Sequence, residues 1–206
     1  MNVPCKICSK RRAKRYCPGV GGDICPVCCG RERENTIDCP LDCEHLMAAR
    51  QHEQLAPMTP DEVPNKDIRV SEDFVREHEE LVVYLSVALA QAMEKERAVD
   101  FDAREALGAL IRTYRTRESG LIYETRPQNL YAAAIQSALV GSIEEYRKEL
   151  SEETGMQTLR DAEILGTLVF LERIELQHNN GRRRGRAFFD FLRGSFGQPQ
   201  TSSVAL

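Results

Sequence analysis

The chain has 206 residues and 23.3 kDa, is 42% hydrophobic and 29% charged, and carries a formal net charge of −4. That is room for one ordinary domain plus a small module, in a globular rather than a disordered composition. The longest nearly apolar run, Leu81 to Ala90, is too short to span a bilayer, and Met1 to Lys6 has no apolar core of the secretory kind, so a cytoplasmic protein with no membrane partner is expected.

The eight cysteines all fall in the first 43 residues: Cys5, Cys8, Cys17, Cys25, Cys28, Cys29, Cys39 and Cys43. Disulfide frameworks belong to oxidising compartments. Reduced cysteines crowded into one segment are most often metal ligands. The pairs Cys5-x2-Cys8 and Cys25-x2-Cys28 each place two thiolates on one tight turn. Two such pairs complete a closed tetrahedral site. Cys17, Cys39-x3-Cys43 and His45 remain, with Cys29 beside Cys28. This surplus of ligands argues for closed structural sites rather than a catalytic metal with an open position. So short a segment buries little core, so metal should supply most of its folding energy.

Charge divides along the chain. Residues 1–50 hold nine Lys and Arg against six Asp and Glu, or +3; residues 51–206 hold nineteen against twenty-six, or −7. Attraction to nucleic acid would therefore be local. One candidate is Lys10-Arg11-Arg12-Ala13-Lys14-Arg15. It can contact phosphate, or offset the charge of thiolate-bound metal and hydrogen-bond the sulfurs.

A short helix over 46–53 is expected to leave the module. Pro57, Pro60 and Pro64 then make 54–70 an extended linker. Ser71 is an N-cap for one long helix over about 71–98, with apolar residues at helical spacing and His78 on that face. Asp102-Ala103-Arg104-Glu105 has the form of a capping box opening a second helix, which ends before Gly120 and Pro127. Asn129 starts a third, and a fourth runs from about Thr158 to Gln177. The cluster Arg182, Arg183, Arg184 and Arg186 follows; it exceeds what a helix C-terminus needs and points to an acidic partner. A short apolar helix over 187–192 and a loose tail from 195 complete the chain. The fold class expected is a small zinc-stabilised cross-brace module (1–53), a linker (54–70), an all-α helical bundle (71–194) and a flexible tail (195–206).

The order of the cysteines resembles a B-box, the cross-braced zinc finger of tripartite-motif proteins, and more loosely HIT and MYND fingers. The likeness covers residues 5–45 and is closest from Cys17 to Cys28. It implies two interleaved Zn2+ ions. Carried over, Cys5, Cys8, Cys25 and Cys28 hold the first, and Cys17, Cys39 and Cys43 belong to the second. A B-box has a Cys or Asp three residues after the position of Cys17, where this chain has Val20. The last ligand then comes from His45, the preferred candidate, or from Cys29, with Asp23 a distant third.

Three functions follow. The first is a non-enzymatic adaptor or regulator acting on a protein partner or a second copy of itself, as the B-box likeness also implies. The second is a nucleic-acid-binding regulator using the basic clusters at 10–15 and 182–186. The third is an enzyme. The chain has no GxGxxG, GxxxxGK[ST], HExxH or GxSxG motif, so nothing in it points to catalysis.

Overall fold

In a computed structural model the protein is described over residues 3–55, 57–59, 61–121, 123–155 and 159–197. The elements in chain order are β1 (Arg15–Cys17), β2 (Gly22–Ile24), α1 (Pro26–Glu32), α2 (Glu44–Arg50), α3 (Glu72–Glu77), α4 (Glu79–Glu96), α5 (Asp100–Glu118), α6 (Leu130–Thr154), α7 (Asp161–His178) and α8 (Ala187–Phe196). The strands pair antiparallel, with Arg15 opposite Ile24 and Cys17 opposite Gly22. The expected tail over 195–206 is corrected at its start, since Ser195 and Phe196 extend α8 beyond the expected 187–192, and residues from 198 lie outside the described residues.

Two apolar clusters organise the chain. The larger gathers buried residues of α4 to α8, among them Leu85 and Leu89 of α4, Leu107 and Leu110 of α5, Ile135 and Leu139 of α6, Ile164 and Leu168 of α7 and Phe188 of α8, with α5 packed mainly on α7 and α6 and α4 mainly on α6 and α8. The smaller holds the buried cysteines with Ile24, Ile37 and Leu46. Leu41 borders both.

The local signals explain most of the helix ends. Ser71 Oγ accepts from the Phe74 amide at 3.2 Å, and Asn129 Oδ1 from the Tyr131 amide at 2.9 Å, each satisfying an otherwise unpaired donor of a first turn. Gly155 closes α6 in the left-handed conformation, φ 72°.

Two further expectations are corrected. The long helix over 71–98 is broken at His78, the C-cap of α3. The Phe74 ring sits against Gly166 of α7, where an added Cβ would lie 2.4 Å from the ring, and against His78 with ring centroids 4.5 Å apart. That docking ties α3 to α7 and turns the chain before α4. Asp102 does not start α5. The helix begins at Asp100, and Asp102 lies in its first turn, reaching back to accept from the Val99 amide at 2.9 Å.

The expected linker is fastened over its second half. Arg115 grips Asp67 with two bonds of 2.7 Å, and Arg173 donates to the carbonyls of Pro64, Asn65 and Ile68. The chain therefore returns from the cysteine module along α5 and α7.

Candidate metal centre

Both Cys-x2-Cys pairs fold as tight turns. In the first, the Ser9 amide donates to the Cys5 carbonyl at 2.8 Å, and Ser9 takes φ 53°. In the second, Cys25 is the N-cap of α1, with Pro26 at the first helical position, where a missing N–H does no harm. The Cys28 amide donates to Cys25 Sγ at 3.4 Å, and the Cys25 amide to Cys5 Sγ at 3.2 Å. The ligand atoms of Cys5, Cys8, Cys25 and Cys28 all lie within 4.8 Å of one another. A tetrahedral zinc–thiolate site needs sulfurs about 3.8 Å apart, from a Zn–S length of about 2.3 Å, so small side-chain movements close the site. Among the described residues this is the one group that meets this spacing.

The electrostatics suit a cation. Burial opposes ionisation of Cys5, but the amides of Cys8, Cys25 and Ile7 outweigh it and bring the thiol down to about 6. The amides of Lys10 and Arg11 lower Cys8. Burial and the neighbouring sulfurs push Cys28 up to about 12. Four thiolates this close repel one another, and a divalent ion relieves that repulsion by displacing the protons. These four cysteines, three of them buried, could hold a metal ion.

The remaining candidate ligands do not meet that spacing but lie around one gap. Cys17, Cys29, Cys39, Cys43 and His45 line one small cavity with Ile24, Ile37 and Leu46. Burial raises the Cys39 thiol, and Cys17 and Cys43 add to the effect. His45 Nε2 lies 3.5 Å from Glu44 Oε1. Asp23 is in β2, where its backbone carbonyl accepts from the Lys6 amide.

The basic residues divide. Lys10, Arg11, Arg12 and Lys14 are exposed, whereas Arg15 donates from Nη1 to Cys29 Sγ at 3.6 Å. Arg183 and Arg184 are exposed. Arg182 donates to the Arg33 carbonyl at 2.6 Å, and Arg186 donates to Asp38 Oδ1 at 2.9 Å and the Cys39 carbonyl at 2.7 Å. Those two arginines fasten the helical part to the cysteine module.

At the centre of that junction stands Glu34, which sequence reasoning missed. It is a carboxylic side chain only 1% exposed. It accepts from Arg50 Nη2 at 2.7 Å, Asn180 Nδ2 at 2.9 Å and the Arg186 amide at 3.1 Å, and its carbonyl accepts from the Arg184 amide at 2.7 Å. Arg50 also pairs with Asp190 of α8. Every partner on the helical side lies more than 140 residues away, so no local pattern marks Glu34.

No family model, curated protein or solved structure matches this chain. The likeness to a B-box rests on the cysteines alone. No helix among the described residues is long and apolar enough to cross a membrane.

Proposed function

We propose that the chain is a non-enzymatic zinc-binding adaptor or regulatory protein that acts through protein–protein contact, with the metal in a structural role. The observation that carries the reading is a set of exposed large apolar side chains at the α5–α6 connection. Leu121, Tyr123, Leu130 and Tyr131 are between 54% and 83% exposed. Single exposed apolar residues are ordinary, but four along one short stretch of chain suit a contact surface, and tyrosine is favoured there. Zinc is the metal that the thiolate-rich donor set favours, and the closed first site offers no position for substrate. Two ions is the stoichiometry proposed, the second in the group around Cys39.

The test is affinity capture on the full-length protein compared with a Tyr123→Ser, Leu130→Ser, Tyr131→Ser variant of equal thermal stability. A specific partner, or a homo-oligomer, that is recovered with the first and lost with the second supports the adaptor. Identical recovery from both removes it.

A second reading, a nucleic-acid-binding regulator, is favoured by Lys10, Arg11, Arg12 and Lys14, exposed cations that form no ion pair among the described residues. Its signature is binding that weakens steeply with salt and falls when Arg11 and Arg12 become Gln.

A further inference from the structure

Cys29 takes no part in the first site, and its surroundings assign it a use. The cavity ringed by Cys17, Cys29, Cys39, Cys43 and His45 has a volume of about 10 Å³. That is about the space occupied by a single water. Four cysteines and one histidine among the residues lining so small a gap are the donor types that a coordinated ion takes. The ring is wider than the first site, so the ion would draw its sulfurs inward.

The donors around the ring separate Cys29 from His45. Cys29 is buried, and two guanidinium groups aim at its sulfur, Arg15 Nη1 at 3.6 Å and Arg33 Nη2 at 3.8 Å. Donors placed in this way hold a ligating sulfur in orientation. Four thiolates around a divalent ion leave a net charge of −2, which the two arginines offset. His45 lies at the rim. Its side chain is 28% exposed, and its Nε2 faces Glu44, whose carboxylate is 86% exposed.

We propose that Cys17, Cys29, Cys39 and Cys43 hold a second divalent metal ion, with Arg15 and Arg33 as hydrogen-bond donors to Cys29 and with His45 outside the coordination sphere. This rests on the reading of the first site as a zinc centre. It removes His45 from the ligands that the B-box likeness favours, and it takes Arg15 out of the candidate phosphate contacts. It also places one ligand, Cys29 in α1, before Glu34 and another, Cys39, after it in the chain.

Native mass spectrometry and zinc K-edge X-ray absorption on the full-length protein test it. The expected result is two zinc ions per chain, with a shell of sulfur alone at about 2.3 Å. His45→Gln should keep both ions, and Cys29→Ser should keep one. A nitrogen shell at about 2.0–2.1 Å that disappears in His45→Gln, together with loss of an ion from that variant, overturns the assignment in favour of His45. One zinc per chain in the unaltered protein overturns the second site and leaves the first standing. No zinc at all overturns both. The absorption spectrum needs no variant, so a Cys29→Ser protein that fails to fold does not spoil the test.

Discussion

Buried carboxylates determine how this protein responds to pH. Asp100 is fully buried, and it accepts from the amides of Phe188 at 3.1 Å and Phe189 at 3.2 Å, so it caps α8 from the start of α5. Burial lifts its carboxyl to about 7; Glu175 and Glu34 add to the rise, while the two amides oppose it. In the unfolded chain the same carboxyl titrates near 3.9. The folded state therefore holds an extra proton between about pH 4 and 7, and stability falls as pH rises through that window. Between pH 5 and 7 the loss is on the order of 2–3 kcal/mol. Asp100→Asn keeps a side-chain acceptor but does not titrate, so its thermal midpoint should vary less over that interval. Equal slopes for the two proteins would rule out this assignment. Glu34 is the other decisive residue. Glu34→Ala leaves Arg50 and Asn180 without their shared acceptor, and breaking a buried pair in this way costs about 3–5 kcal/mol. Urea unfolding of the full chain measures it, and a change below 1 kcal/mol would show the junction to be dispensable.

At the scale of elements, the helices were legible because their signals are local. Ser71 and Asn129 cap α3 and α6 as their sequence positions announce, and α4 to α7 follow the apolar periodicity. The break at His78 was not legible, because it depends on Phe74 meeting Gly166, 92 residues further on. Gly166→Ala should destabilise by roughly 1–3 kcal/mol through that clash. The double variant with Phe74→Leu should recover part of the loss, and purely additive effects in the double-mutant cycle would contradict the contact. Asp102 illustrates a misread register. It serves the Val99 amide and also accepts from Asn129 Nδ2, so it links the starts of α5 and α6. Asp102→Ala should cost about 1–2 kcal/mol by chemical denaturation.

For the whole molecule, two clusters joined through Leu41 and a polar junction predict separable unfolding. Strong chelation should make residues 1–50 sensitive to protease while most of the helical circular dichroism persists, since α4 to α7 bury their own core. Simultaneous loss of both signals would show that the metal module is needed for the helices to fold. Acid should act like the chelator. Metal binding requires the thiolates, so affinity falls as pH falls, and release should run ahead of unfolding of the helical part.

The sequence by itself determined the clustering of Cys5, Cys8, Cys25 and Cys28 as a group able to hold metal, the separation of a cysteine module from a helical part, and the existence of the main helices. Each of these depends on residues close together in the chain, where spacing and capping chemistry act directly. The tertiary structure decided which arginines are free and which are used, since Arg182 and Arg186 turn inward to Arg33, Asp38 and Cys39. It also decided that the second half of the proline-rich stretch lies against α5 and α7, and that a buried Glu34 joins the two parts. Such choices depend on partners 48 to 152 residues apart. A charge can be buried only where packing brings its counter-charges and donors together, and the order of residues along a chain does not display that meeting.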